Sequence, residues 1–352
     1  MTNDEPSVAI LGAGRIGMFH AENIVNNVSG LTLKAVAEPV PEVAERAHER
    51  LGVEAEEDWR VVVQDPGIDA VVIASPTDSH AEQIVGAIEA GKHIFCEKPI
   101  ARNLPSIDEL LARVEERGLK FQTGFNRRFD QNFGALRSRM ENGEIGDVWM
   151  VKITSRDPEP PPLSYLMDSG GLFFDMAIHD FDMARFLVDA EVADVTARGV
   201  ALVGPETSEA DDVDTAFTIL QFENGVLGLI ENCRQAAYGY DQRIEALGRD
   251  GMLLADNERS DTVTIADSSG FHRVPAPRFF RERYSGSYVR QLERFRDALA
   301  GEPVTAASGS DGRQAVLVAH AAEMSRREGR TVALDEAERD AQGQTDAKRI
   351  GP

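Results

Sequence analysis

The stretch that decides the fold is VAILGAGRIG, residues 8–17. Residues 8–11 form a short apolar run that reads as a strand, and Gly12-Ala13-Gly14-Arg15-Ile16-Gly17 follows it directly. A helix to about residue 27 comes next. A lone GxGxxG is a weak signal, but between a strand and a helix it reads as a dinucleotide-binding turn. Gly12 permits the tight turn, Gly14 lets the backbone approach a pyrophosphate, and Gly17 allows close helix–strand packing. The pyrophosphate then meets a helix N-terminus, where unpaired N–H groups and the dipole favour an anion. Glu38 lies about 20 residues further on, at the end of the apolar run 33–37. A carboxylate there accepts hydrogen bonds from ribose hydroxyls and repels a 2′-phosphate, which favours NAD over NADP. Arg15 is the one neighbour that favours the phosphate.

Working outward, strands and helices alternate. A second strand at 33–37 is followed by a helix at 41–51, and a buried-type strand at 70–74 (AVVIA) by a helix at 79–90. A strand at 93–96, a helix at 106–117 and a strand at 120–123 complete the set. Continuous apolar strands alternating with helices predict a parallel sheet covered on both faces. Residues 1–125 are therefore expected to form a Rossmann domain. Beyond Gly124 the rhythm changes to a helix at 132–141, a strand at 148–155, a proline-rich loop at 157–162 and a helix at 173–188. Period-2 strands follow at 192–202, 213–222, 226–232, 243–247 and 251–256. That pattern predicts an α+β domain over 126–334 with a mostly antiparallel sheet. Closing helices at 287–300 and 310–327 end it, with room for one to pack back on the first domain. Residues 335–352 are polar and charged, and read as a flexible tail.

The 352 residues carry a net charge of −23, which excludes nucleic acid and anionic membranes as partners. No apolar run reaches the ~20 residues of a membrane span, and the first residues lack the pattern of a secretory signal. The two cysteines, Cys96 and Cys233, lie in apolar runs and read as buried free thiols in a reducing cytoplasm. Abundant Asp and Glu with only six lysines among 37 basic residues resemble proteins of salt-in halophiles. The expectation is a cytoplasmic, salt-requiring protein whose self-repulsion is screened at high ionic strength.

Two further segments carry chemistry. In FCEKPI (95–100) one of the rare lysines, Lys98, stands between Glu97 and Pro99 after an apolar strand. In GGLFFDMAIHDFDMARFL (170–187), Asp175, His179 and Asp182 stand at i, i+4 and i+7, positions that share a helical face. Phe174, Ile178 and Phe181 form a neighbouring apolar stripe. A histidine suits proton abstraction near neutral pH, as hydride transfer from an alcohol requires. Two aspartates and one histidine without a further His or Cys cluster do not argue for a metal.

Taken together, GAGRIG, EKP after a later strand, the DxxxH helix and the antiparallel sheet resemble the Gfo/Idh/MocA oxidoreductases over roughly residues 7–334. The resemblance implies Lys98, Asp175 and His179 as the catalytic set, and a cis peptide before Pro99. It implies cofactor contacts from Gly12, Gly14, Arg15, Ile16, Gly17, Glu38, Ser75, Glu97 and Lys98. FNRRFD (125–130), SRDPEPPP (155–162), the DxxxH segment and YGYDQR (238–243) are most similar to the inositol dehydrogenases of that family. By that likeness Arg127, Asp157, Asp182 and Tyr240 (or Tyr238) bind a polyol, whose hydroxyls call for carboxylate, guanidinium and phenol partners. Ser155 and Asp157 stand where some of those enzymes carry a His and an Asn, which bears on the preferred isomer. Related readings are another sugar such as glucose, xylose or scyllo-inositol, an NAD-dependent glycoside hydrolase, or a non-catalytic NAD-binding regulator. A homo-oligomer, tetramer or dimer, is also implied.

Overall fold

The computed structural model describes residues 5–349, with side chains as far as Gly343; residues 1–4, and 350–352 of the expected tail, lie outside the described residues. Two compact units form. The first runs to Phe129 and takes in Gly286–Gln314; the second is Asp130–Ser285 with the chain from Ala315.

The first unit holds six parallel strands: β1 (Ser7–Leu11), β2 (Thr32–Ala37), β3 (Glu54–Glu56), β4 (Ala70–Ile73), β5 (His93–Cys96) and β6 (Phe121–Thr123). Their order is β3-β2-β1-β4-β5-β6, so the chain reverses its lateral direction between β1 and β4. In open α/β sheets ligands bind in the crevice at that switch point, beyond the carboxyl ends of the strands. β4 is buried along its whole length, which accounts for its unbroken apolar run. The connecting helices are α1 (Arg15–Asn27), α2 (Pro41–Leu51), α3 (Trp59–Gln64), α4 (Thr77–Glu89) and α5 (Leu104–Glu116). The edge strand β3, Glu-Ala-Glu, carries no apolar signal and forms through its backbone pairing with β2.

The second unit opens with α6 (Gln131–Glu141) and β7 (Val148–Arg156), then α7 (Leu163–Ser169). A single π-helical turn, Phe173–Ala177, runs into α8 (Ile178–Val188), so the expected continuous helix changes its winding just where Asp175 lies. β8 (Val192–Val200), α9 (Pro205–Glu209), β9 (Thr215–Phe222), β10 (Leu227–Cys233), β11 (Asp241–Gly248) and β12 (Met252–Ala255) follow. The sheet order is β12-β11-β7-β10-β9-β8-β15, where β15 is the short Val332–Ala333. β7 and β10 pair in parallel and the remaining neighbours are antiparallel. The period-2 reading holds in detail on β9, where Ala216, Thr218, Leu220 and Phe222 are buried while Phe217 and Ile219 face outward. A separate hairpin, β13 (Thr264–Asp267) and β14 (Gly270–Arg273), and a short α10 (Phe280–Arg283) complete this stretch.

Three expectations need correction. The first unit extends through residues 126–129, past the expected boundary, and takes in α11 (Ser285–Leu299), the closing helix given room above to pack back on the first domain. Its Leu292 and Phe295 join the core cluster of Val8, Ile10 and Phe95, and the Gln291 carbonyl accepts from the Gln122 side chain at 3.0 Å. After α12 (Gly309–Glu328) the expected tail is instead a helix, α13 (Leu334–Arg349), packed on β8. Its buried stripe is Leu334, Ala337 and Ala341, and alanines make a narrow apolar face that a reading for large hydrophobics passes over. Third, Cys233 is only half-buried, because alternation on β10 turns it to the open face; Cys96 is buried, and burial raises its thiol well above the usual range.

Two histidines link this packing to pH. Burial lowers the pKa of His80 on α4, against backbone carbonyls that act the other way, and burial with Lys120 lowers that of His93 on β5. A histidine with a depressed folded pKa gives stability that is present above its unfolded value of about 6.5 and declines below it. The depressed carboxylates, Asp241 and Asp311 among them, lose their contribution only below about pH 4. Urea midpoints should therefore fall first between about pH 6.5 and 5; a midpoint flat over that window would contradict the assignment.

Candidate active site

The first unit builds a candidate cofactor site around the turn after β1. Gly12 has φ +95°, and a Cβ there would come 2.6 Å from the Ser75 Cα beyond β4, so the turn sits at the switch point. A Cβ at Gly17 would lie 1.8 Å from the Gly12 carbonyl oxygen, which allows only glycine at that approach of α1. Gly14 differs: a Cβ there meets nothing within 4 Å. Gly14 is also the N-cap of α1, with no side-chain cap and no acid in the first turn, whereas α5 and α6 are closed by Asn103 and Asp130. Open space at Gly14 over an uncapped helix start fits a diphosphate.

Glu38 is buried at the end of β2, where its carboxylate accepts from Ala13 N at 2.7 Å and Val40 N at 3.1 Å. These contacts hold it against the glycine turn and leave acceptor positions for ribose hydroxyls. The residues present fit a dinucleotide: the α1 terminus for the diphosphate, Glu38 for the ribose.

From Ile94 to Ala101 every residue is buried except Lys98, so its side chain is what this loop presents. The Lys98–Pro99 peptide is cis. The Glu97 carboxylate is 2.8 Å from His20 Nε2, and the Pro99 carbonyl is 2.9 Å from His80 Nδ1. His80 Nε2 lies 3.0 Å from the Ser75 carbonyl. Ser75 itself donates through Oγ to Gln83 at 2.8 Å. Arg127, also in this unit, is buried in the 3₁₀ turn Asn126–Phe129.

The second unit places Asp175 in the π turn and His179 in the first turn of α8. From Leu172 to Arg185 only Phe174, Asp175 and His179 are not buried, the same pattern that marks Lys98. π turns inside α-helices often occur at functional positions. Asp182 does not share that exposure; it is fully buried, and the change of winding removes the simple common face expected from the spacing. Phe174 is likewise half-exposed, its ring edge-on to His320, while Ile178 and Phe181 are in the core.

The Asp175 carboxylate is held on both oxygens. Tyr165 Oη donates to Oδ1 at 2.8 Å and Arg234 Nη1 to Oδ2 at 3.1 Å. Arg234 is only 1% exposed and also faces Asp212 Oδ2 at 3.6 Å. Burial opposes its charge, yet Asp175, Asp212 and Asp157 together raise its pKa above the ordinary value. Asp157, just after β7, lies within electrostatic reach of Arg234, and its N–H donates to Cys233 O at 2.9 Å. Asp212 also accepts from Leu172 N at 3.0 Å. Tyr165, Asp212 and Arg234 were not singled out in the sequence; Arg234 lies just before YGYDQR, but nothing local marks its partners.

The two tyrosines of that motif separate. Tyr238 joins an ion-pair network, accepting from Arg156 and donating to Asp241 Oδ2 at 2.7 Å. Tyr240 is buried edge-on to Tyr284 at 6.0 Å, and Ser155 is buried with its Oγ on Gln242.

Comparison with known proteins adds the family. Residues 7–125 match the oxidoreductase family with an NAD-binding Rossmann fold, and residues 133–254 match the GFO/IDH/MocA C-terminal domain. The chain belongs to the GFO/IDH/MocA oxidoreductases. It is 44% identical to myo-inositol 2-dehydrogenase of Thermotoga maritima, over 94% of this chain and 98% of that one. Inositol 2-dehydrogenase of Rhizobium meliloti is 43% identical over 92% and 98%. The crystal structure of scyllo-inositol dehydrogenase from Lactobacillus casei with bound NAD(H) and scyllo-inositol is similar at TM-score 0.88 and 32% identity, covering 94% of this chain and 99% of that chain. The chain is accordingly an NAD-dependent oxidoreductase acting on CH–OH groups.

The glycine turn makes a discriminating prediction. Gly17→Ala should destabilise the fold and abolish NADH binding, whereas Gly14→Ala should unfold within about 1 kcal/mol of wild type yet bind NADH at least about tenfold more weakly. Fluorescence titration and denaturant melts check both; equal NADH affinity for Gly14→Ala would remove Gly14 from the cofactor site.

Proposed function

We propose that the chain oxidises a secondary hydroxyl of a cyclic polyol, myo-inositol to the 2-keto-inositol, with NAD⁺ as oxidant. The observation that carries this reading is the full-length identity of 43–44% to inositol 2-dehydrogenases, with Lys98, Asp175 and His179 all present. NAD⁺ supplies the hydride acceptor. His179 takes the hydroxyl proton as a general base. Lys98 donates a hydrogen bond to the reacting oxygen and stabilises its developing negative charge. Asp175 supplies a fixed negative charge four residues from His179 and favours the imidazolium that forms. Arg127, Asp157, Asp182 and Tyr240 are the proposed polyol contacts. A scyllo-inositol substrate is the second reading, favoured by the likeness to the Lactobacillus casei enzyme.

His179→Ala should lose roughly 10²–10⁴-fold in kcat while NADH still binds. Initial rates of NADH formation over myo- and scyllo-inositol, glucose and xylose check this and rank the substrates. Wild-type kcat in the variant would remove His179 as base; NADH binding without turnover on any polyol would leave a binding protein, and free sugar released from a glycoside without net NADH would indicate a hydrolase.

We further propose a cytoplasmic, salt-requiring homo-oligomer, tetramer or dimer, joined through the open face of the seven-stranded sheet. Phe217, Ile219, Leu227, Met252 and Leu254, on β9, β10 and β12, are exposed there, and apolar side chains gathered on one open face are what an interaction surface offers. Light scattering should give an oligomer in molar KCl, a shift toward monomer for Ile219→Glu, and loss of folded protein at about 50 mM salt. A wild-type monomer in molar KCl, or full activity at the low salt, would refute the corresponding part.

A further inference from the structure

Lys98 projects from a buried loop, and something must hold that loop at a fixed height. The structure puts one buried histidine on each side of it. His20, fully buried on α1, lies with Nε2 2.8 Å from Glu97 Oε1. The carboxylate accepts and the ring donates, which fixes the tautomer; Nδ1 has no hydrogen-bond partner among the described residues. Glu97 Oε2 accepts from Lys98 N at 3.3 Å, and Glu97 rests against Gly124, where a Cβ would come 2.8 Å from its carboxyl carbon. The His20 ring is locked edge-on to Phe95 at 5.2 Å and Tyr288 at 5.6 Å. On the other side His80, buried on α4, has one ring nitrogen 2.9 Å from the Pro99 carbonyl and the other 3.0 Å from the Ser75 carbonyl, and the neutral ring that burial favours donates to one of the two.

Both histidines reach back to elements that shape the cofactor crevice. His20 lies three residues after Gly17, on the helix whose N-terminus fits the diphosphate. Ser75 is the residue against which Gly12 closes. We propose that His20 and His80 are positioning residues that tie the Lys98 loop to the dinucleotide-binding elements, so that the ammonium is fixed relative to the bound cofactor. They touch neither substrate nor cofactor and act through Glu97 and Pro99. The proposal rests on the reading that Lys98 contacts the reacting oxygen.

A positioning role predicts a loss in kcat, because misplacing a catalytic group by about 1 Å can cost on the order of 10²-fold. His20→Phe keeps the ring volume and removes the donor to Glu97. Its kcat should fall about 10- to 100-fold, with polyol KM and NADH affinity changed less than about threefold. His20→Gln, whose amide can donate to Glu97, should recover most of the loss. His80→Phe and His80→Gln should behave as the same kind of pair. The deciding measurement is a double-mutant cycle with Lys98→Met: once the ammonium is gone, His20→Phe should cost little more.

Losses that multiply in the double variant, or losses equal in His20→Phe and His20→Gln, overturn the positioning role and leave a packing role. If Lys98→Met alone retains wild-type kcat, the reading of Lys98 fails, and this proposal with it. If His20→Phe does not fold, His20→Gln and the His80 pair carry the same cycle.

Discussion

The first unit depends on one steric fact: α1 starts so close above the β1 turn that no atom fits between Gly17 and the Gly12 carbonyl. That approach brings an uncapped helix N-terminus to the point where the strand order reverses. It also puts Ala13 N in reach of the Glu38 carboxylate, so the acid at the end of β2 is braced by the turn it serves. His20, three residues further along the same helix, points to the same side and reaches Glu97. A single close packing thus sets the diphosphate position, the ribose acid and one support of the Lys98 loop.

Much of this was legible in the sequence, for physical reasons that differ by element. β4 could be read from AVVIA because a strand covered on both faces has no polar positions, and β9 because a strand covered on one face must alternate. Local order of this kind is written in neighbouring residues. The supports of the site are not. His20 and Glu97 are 77 residues apart, and Arg234 and Asp175 are 59 apart. No spacing rule covers such pairs, because the fold and not the chain makes them neighbours. The π turn escaped for another reason, since FFDMA has no residue that forbids an ordinary α-helix. Alanine hid α13, its small side chains giving a face too narrow to stand out from the charges around it.

Lysine scarcity drew attention to Lys98, but scarcity alone does not separate chemistry from structure. Lys92 is equally rare in kind, and it is buried with its ammonium on the Asp65 and Ile68 carbonyls at 2.7 and 2.6 Å. A compact head with three donors suits two converging carbonyls better than a planar fork. The two lysines differ in their surroundings: Lys92 is enclosed with its acceptors, whereas Lys98 is the one residue its loop does not cover. Asp175 and His179 stand out from α8 and its π turn in the same way. Local relief within a buried run, more than residue type, distinguishes these positions.

Arg234 has a further consequence in a chain of net charge −23. Its side chain is 1% exposed, while Asp157, Asp175 and Asp212 around it are only partly buried. Solvent reaches the carboxylates but not the guanidinium, and such partly buried pairs are screened less than exposed ones. One enclosed cation therefore holds several acids together where a chain so rich in carboxylates would otherwise set like charges side by side.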